Sequence, residues 1–499
     1  MKRYLIGLDI GTSSTKAILV DDAGHIVKSV APAYPFQTPK PLWAESDPED
    51  WWRATQTAIA ELLGKDIAPE AVAGIGLSGQ MHGLVLLDGE GKVLRPCIMW
   101  NDQRTAAECA ELTERVGARR VLEITGNPIL PGFTAPKIEW VRKNEPEVWA
   151  QVRHILLPKD FIRYRLSGVF GTDVSDASGM SLLDVGARRW SPEMAEACGV
   201  KLEMLAEVAE SAEVTAHVHA AGATATGLAE GTPIVAGGGD QAAGAIGCGI
   251  VSAGRVSCTL GTSGVLFAHA EEFRPDPDGR LHAFCSAVPG KWHFMGVQLS
   301  CAGAYQWFRD QLAPGEPFEA LNEGAAAVPP GADGLLFLPY LTGERTPHPD
   351  PLARAVFCGL TLRHKRAHMT RAVMEGVTFG LRDALEIMRD LGLQPTEIIA
   401  AGGGAKSPLW RQILADTFST PIVTVNATEG AAYGAAILAA VGAGLQPDVV
   451  SACENWIAQT SRTEIDPATS EIYDKVYPAY AALYPALKPT FDKLGEISG

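Results

Sequence analysis

At 499 residues the chain exceeds what one hydrophobic core ordinarily holds, so two domains are expected. Apolar residues make up 46% and charged residues 20%, the balance of a globular protein. A formal net charge of −16 without any Lys/Arg-rich run argues against nucleic acid or an anionic membrane as partner, so an anionic ligand must be held locally, by backbone N–H groups, helix ends or a metal ion. Asp9 interrupts MKRYLIGLDIG too early for a signal peptide, and no stretch approaches a membrane span. The nine cysteines include no C-x-x-C pair and read as small buried thiols, which makes the cytoplasm the expected compartment.

Residues 4–29 read as a strand, a turn Gly11-Thr12-Ser13-Ser14, a second strand and a third, HIVKSV. The turn offers backbone N–H groups and small hydroxyls that suit a phosphate, and Asp9 just before it suits a Mg²⁺ held through water; a plain hairpin with a solvated Asp fits the same residues. Asp47-Pro48 is a helix start followed by Trp51, Thr55, Ala58 and Leu62 at helical spacing. From Ala71 to Trp100 the pattern predicts three strands with an Asp88-Gly89 turn. Met81-His82 and the run Trp100-Asn101-Asp102-Gln103-Arg104 are polar clusters at strand ends that can converge on one small polar ligand. Residues 103–230 alternate helix and loop. Within them Thr172-Asp173-Val174-Ser175-Asp176 reads as a small polar loop of no evident role.

Near the middle, Ile234–Ala236 runs through Gly237-Gly238-Gly239 into Asp240 and an Ala/Gly-rich helix. An acid there is either an N-cap or a base in a cleft between two halves. The hairpin then recurs: Thr259-Leu260-Gly261-Thr262-Ser263-Gly264 lines up with Asp9 to Ser14, but Thr259 stands where the first copy has Asp9. Further on, Asp278-Gly279 reads as a hairpin turn, PYLTGERTPHPDP as a rigid connector, and residues from about Thr370 to Leu391 as a long helix with Gly376 and Gly380 at a close helix contact. A second strand–Gly-Gly-Gly–helix unit ends in Gly402-Gly403-Gly404, with Ser407-Pro408 starting its helix, and suits a nucleotide. An Ala/Gly-rich helix near 429–443 and a helical tail close the chain.

Neither common nucleotide fingerprint is present. Gly402 to Ser407 has Ala405 before the Lys, where a P-loop needs Gly. Gly237-Gly239-Ala242 lacks the acid about 20 residues on that a dinucleotide fold uses. What remains is two hairpins for phosphates, a glycine loop, a metal-side acid and a cleft acid, the parts phosphoryl transfer needs.

QMHG, WNDQR, GFTAPKIEW, GGGDQAAG, LGTSG, GERTPH and GGGAKS, in that order along nearly the whole chain, resemble the FGGY family of carbohydrate kinases, and within it the xylulose-phosphorylating branch. The resemblance implies an α/β fold of two RNase H-like domains around a central cleft, as in actin, Hsp70 and hexokinase, here 1–245 and 246–499. It implies ATP as co-substrate with Mg²⁺, and D-xylulose as acceptor. Asp240 is then the base; Met81, His82, Trp100, Asp102, Asp240 and Gln241 face the sugar. Thr12, Ser13, Gly261 and Thr262 line the phosphates, Gly403 and Gly404 the nucleoside, and Asp9 the metal. A homodimer is compatible with the resemblance. Gln241 departs from the Asn usual in that branch and matches glycerol kinases, which leaves the sugar open among small polyols and ketoses. The hairpins and glycine loop alone also fit an actin- or Hsp70-like ATP switch that binds protein.

Overall fold

The computed structural model describes residues 2–427 and 429–498. The first sheet is built from β1 (Tyr4–Ile10), β2 (Thr15–Asp21), β3 (Ile26–Val30), β4 (Val72–Gly79), β5 (Val214–His217) and β6 (Pro233–Val235), in the order β5-β6-β4-β1-β2-β3. β1 and β2 form an antiparallel hairpin, whereas β4 and β6 run parallel to β1. The second sheet contains β7 (Arg255–Leu260), β8 (Gly264–Ala270), β9 (His282–Cys285), β10 (Trp292–Gln298), β11 (Glu397–Ala401), β12 (Ile422–Val425) and β13 (Gln459–Thr463), in the order β9-β10-β8-β7-β11-β12-β13. β7 and β8 are again an antiparallel hairpin, and β11 and β12 again run parallel to the hairpin's first strand. The internal echo of the sequence is therefore a duplicated strand order, the RNase H-like one, in both halves.

The helices explain why these strands are apolar on both faces. Along β1, Ile6, Leu8 and Ile10 pack with Trp51, Ala58, Phe161 and Ile162 of α1 (Pro48–Leu63) and, past α2 (Thr134–Asn144), α3 (Pro158–Ser167). α1 begins as its sequence predicts, with Asp47 accepting from Glu49 N and Pro48 at the first helical position. The alternate residue Leu5, with Ile18 and Val20 of β2, faces the other way. Between the sheets lie α4 (Asp240–Gly247) and, beyond α5 (Arg366–Asp390), α6 (Gly430–Gly442). α6 belongs by sequence to the second half, yet it covers the first sheet: its residues Ala436 and Ile437 pack on Leu5 and Ile18. The approach is close enough that a Cβ on Gly7 would stand 2.0 Å from Ala432 O and one on Gly76 1.8 Å from Ala435 O. In exchange Ala245 of α4 packs on Phe267, Ile399 and Val423 of the second sheet. Each half lends the other a helix. α4 runs unbroken past residue 245, so a division drawn there cuts it; the secondary structure pauses at 248–254.

Several local expectations change. The three strands predicted between Ala71 and Trp100 form but enter three different sheets: β4 joins the first sheet, Val85–Leu87 pairs with His154–Leu156 and Cys97–Ile98 with Glu45–Ser46. Asp278-Gly279 turns within the loop before β9 and joins no pair of strands; Asp276 closes it through Gly279 N and the Arg280 guanidinium. Thr172-Asp173 ends a short strand, Gly171–Asp173, and Val174–Ala177 is a helical turn capped by Asp173, so this stretch is ordered structure and not a loop. α5 starts at Arg366, a turn earlier than its apolar stripe suggests. Gly376 meets Phe337 O and Gly380 meets Gln298 Nε2 at distances no Cβ tolerates, the close packing their spacing implied. Among the described residues no helix is long and apolar enough to cross a membrane, and all nine cysteines are free.

Candidate active site

The site forms at the carboxyl ends of parallel strands, where an open α/β sheet places ligands. Asp9 lies opposite Ser78 of β4, and Gly238-Gly239 pair on the other side with Ser78-Gly79. Asp240, the next residue, opens α4 as its first helical residue; Gly239 holds the cap position, so Asp240 does not act as the N-cap. Two of the three glycines are required here. Gly237 has φ +80° with Leu77 O 2.1 Å from where a Cβ would be, and a Cβ on Gly239 would strike Met81.

Burial first, and the charge of Asp9 after it, push the Asp240 carboxyl up to about 7. Backbone and side-chain N–H groups of Gln241 oppose the shift, which gives Gln241 a part in holding the acid. Asp9 is itself raised to about 6 by burial, against the charge of Lys16 and the Ser78 hydroxyl, and its Oδ1 has no hydrogen-bond donor among the described residues. Two near carboxylates, one with an orphaned oxygen, fit a divalent cation held from Asp9 through water. Among the described residues no cluster of three or more His, Cys, Asp or Glu side chains offers an all-protein cage, so phosphate oxygens and waters would complete its shell.

His82 adopts a left-handed φ of +70°, a strained geometry for a non-glycine residue, and is held there from several sides. Its carbonyl accepts from Thr134 Oγ1 (3.0 Å) and Lys137 Nζ (2.9 Å), both on α2, and its ring stacks on Phe133 at 4.5 Å. Nδ1 lies 2.7 Å from Gly179 O. A carbonyl only accepts, so Nδ1 carries the proton. Burial lowers the ring to about 3, with the charges of Lys137 and Arg345 adding to the effect, so His82 is neutral and its Nε2 is an acceptor for a hydroxyl. The GFTAPK stretch thus supports His82, a role its residues did not announce in isolation.

Trp100 and Asp102 part company. Trp100 is 44% exposed and donates from Nε1 to Thr12 Oγ1 (3.0 Å), tying the WNDQR stretch to the turn at 11–14. Asp102 is 0% exposed; its oxygens accept from Ala44 N and from the backbone and guanidinium of Arg104. Its carboxylate is spent inside the protein, because WNDQR folds back on itself and presents the Trp, and Asp102 is a support of the site's wall instead of a ligand contact.

Both candidate phosphate turns are pinned by their carbonyls and closed by Gly11 N on Ser14 O and Gly261 N on Ser263 O, while Ser13, Thr262 and Ser263 stay exposed. Gly11 O accepts from Tyr34 Oη (2.7 Å) and Gln80 Nε2 (3.0 Å), and Ser13 O from Tyr34 N. Gly261 O and Thr262 O accept from Ala302 N and Cys301 N at the start of the helix Ala302–Leu312. Gly261, Thr262, Gly403 and Gly404 line one cavity of about 540 Å³ with Gly303, Asn322 and Trp410. Ser407 caps the helix behind the glycine loop by accepting from Trp410 N.

The PYLTGERTPHPDP stretch does more than connect. Glu344 accepts from Leu299 N and Arg345 N, and Thr346 bonds to both sides of Val297, so the loop is laced to β10. It presents Arg345, exposed and without an ion-pair partner among the described residues, whose charge reaches His82 and His282. The sequence signal was an arginine in a rigid loop, which reads equally as surface charge.

Family models for the N-terminal and C-terminal domains of the FGGY family of carbohydrate kinases match residues 4–247 and 256–443. A xylulose kinase of Bacillus subtilis is 39% identical over 97% of this chain and 97% of its own. A crystal structure of a "xyloylose kinase" from Brucella ovis superposes with a TM-score of 0.91 at 40% identity, covering 98% of this chain and 100% of the other. One of a gluconate kinase from Lactobacillus acidophilus gives 0.94 at 29% identity, covering 99% and 100%.

Proposed function

Because the chain belongs to the FGGY family of carbohydrate kinases, we propose that it transfers the γ-phosphoryl group of ATP to the terminal hydroxyl of D-xylulose, giving ADP and D-xylulose 5-phosphate. The observation that carries the reading is Asp240: a carboxylate at a strand end, raised to about 7 chiefly by burial, next to the Gly239 that packs on Met81, and across a strand from Asp9. A base with that affinity accepts a proton from the attacking hydroxyl near neutral pH and keeps it until the product leaves. His82 Nε2 accepts from another sugar hydroxyl and sets the sugar's direction. The N–H groups and hydroxyls of the turns at Thr12-Ser13 and Gly261-Thr262 hold the phosphates, and the cavity at Gly403-Gly404 holds the nucleoside. Mg²⁺, held from Asp9 through water, would neutralise phosphate charge. α4 and α6, each seated on the other half's sheet, are the joint across which the halves close and exclude water.

The test is ADP formation with MgATP against D-xylulose, L-xylulose, D-ribulose, L-ribulose, glycerol and gluconate. We expect D-xylulose to give by far the highest kcat/KM. A higher value for glycerol or gluconate keeps the kinase and overturns the sugar. ATP hydrolysis that no sugar stimulates but a protein partner does would overturn the kinase reading itself.

A further inference from the structure

Behind the glycine turn lies a fully buried polar chain that the reaction above does not use. Lys159, at the start of α3, is 0% exposed, with Nζ 2.6 Å from Asp160 Oδ1, 2.8 Å from Asp173 Oδ1 and 3.5 Å from Asp176 Oδ2. Asp173 turns its other oxygen to Ser175: Oδ2 accepts from Ser175 N (2.7 Å) and Ser175 Oγ (2.5 Å), and from Ser211 Oγ (3.2 Å). Ser175 Oγ, its proton committed to Asp173, accepts from Gly239 N at 3.1 Å. Gly239 immediately precedes Asp240.

The rest of that turn is also held. Gly237 N donates to Ser211 O (2.9 Å), and the buried Arg163 guanidinium donates to the carbonyls of Val235 and Ala236. Three consecutive glycines have no side chains with which to fix themselves, and they are the least restrained backbone a base can be mounted on. Here the restraint is supplied from outside, at each end of the turn. Burying one ammonium and three carboxylates is costly unless the geometry is fixed, so such a chain is weak evidence for stability and better evidence for position.

Resting on the assignment of Asp240 as base, we propose that the chain Lys159–Asp173–Ser175 is a positioning device that fixes the Gly239 amide and thereby aims the Asp240 carboxylate at the sugar hydroxyl. Lys159 keeps Asp173 an acceptor; Asp173 orients the Ser175 hydroxyl; Ser175 anchors Gly239. None of the three touches sugar or nucleotide. The sequence stretch TDVSD is therefore the back wall of the catalytic turn.

The test compares Ser175→Ala with Ser211→Ala in the full chain, using the best sugar and MgATP. Ser175→Ala removes the only side-chain hydrogen bond to Gly239 among the described residues. Ser211→Ala removes a buried hydroxyl from the same carboxylate and leaves that bond in place. Displacement of a reacting group by about 1 Å costs on the order of 100-fold, so Ser175→Ala should lower kcat roughly 10- to 100-fold while KM for ATP and for sugar stay within about threefold. Ser211→Ala should keep kcat within about threefold. A folded Ser175→Ala enzyme with unchanged kcat overturns the inference. So does an equal loss of kcat in both variants, or failure of Ser175→Ala to fold, since either assigns the chain to stability alone. Asp240→Asn separates this from the premise. If Asp240→Asn retains kcat the base assignment itself has failed. If it is inactive and Ser175→Ala is unimpaired, only the positioning device has failed.

Discussion

The turn at 11–14 and the turn at 261–263 are near copies in backbone terms. Each follows the first strand of an antiparallel hairpin, each is closed by its own backbone (Gly11 N to Ser14 O, Gly261 N to Ser263 O), and each has its carbonyls tied back into the fold. They differ in what surrounds them. The first has Asp9 before it and Asp240 two strands away, both pushed toward neutrality by burial. The second has Thr259 in place of the acid and opens onto a cavity of glycine and aromatic surface. A duplicated fold is thus divided by charge: in the proposed reaction the acids of the first half would serve the proton and the metal side, and the second turn, with Thr259 in place of an acid, would face the nucleotide. The difference teaches that one backbone turn can be kept in both halves while the buried carboxylates beside it are placed in only one.

Removing the acid that only the first half has is the strongest way to break this division. Asp240→Asn preserves shape and loses the base, and should lower kcat roughly 10²- to 10⁴-fold, with ATP binding by equilibrium titration intact. A near-normal kcat would place the base elsewhere. Asp9→Thr makes the first turn a copy of the second. With Asp9 acting through water, the Mg²⁺ concentration for half-maximal activity should rise about 10- to 100-fold. A titration curve that does not move would take Asp9 out of the metal's shell.

Much of this division was legible in the sequence because it is carried by local pattern. Glycine and small hydroxyls at a turn, repeated at 11–14 and 261–264, announce the duplication, and Thr259 against Asp9 shows the asymmetry. The same holds for Asp47-Pro48 and Ser407-Pro408, whose caps are set by adjacent residues. What stayed hidden depends on contacts between residues far apart in the chain. Asp102 reads as a ligand until Ala44 and Arg104 are seen to occupy it. TDVSD reads as a polar loop until Lys159 and Gly239 come to either end of it. Arg345 reads as part of a connector until β10 is found to hold its loop beside the histidines. Nor does periodicity show that α6 sits on the other half's sheet, since an Ala/Gly-rich helix is apolar on every side.

The nucleotide half can be sharpened independently through its glycines, which are not equivalent. Gly402 has φ +85° and lies against Leu260 O, so any side chain there disturbs the backbone. Gly403 has φ −63° and ψ −41°, ordinary for any residue, and a Cβ on it would meet nothing within 4 Å. Gly403→Leu should therefore fold normally and fill the cavity. An obstructed pocket costs on the order of 10-fold or more, read as a raised KM for ATP with KM for sugar unchanged. If KM for ATP stays put, the cavity at 403–404 is not where the nucleoside sits.

The smallest expected effect concerns buried acids away from the reaction. The first half surrounds Lys159 with its buried carboxylates, whereas the second half buries Asp383 on α5 with the Tyr477 hydroxyl at 2.6 Å and only the nearby charge of Arg382 to oppose the burial. Burial raises Asp383 from 3.8 to about 7. The sign follows from proton counts. Between about pH 4 and 7 the unfolded chain has released this proton and the folded chain retains it, so stability falls as pH rises through that window and stays low above it. The full penalty is on the order of 4 kcal/mol. Asp383→Asn keeps an acceptor for Tyr477 and cannot ionise. Its gain in melting temperature over the parent should be near zero at pH 4, grow through pH 7 and level off above, with kcat unaltered. A constant difference across that range would mean that Asp383 is ionised in the folded protein, and that the second half compensates its buried acids as fully as the first.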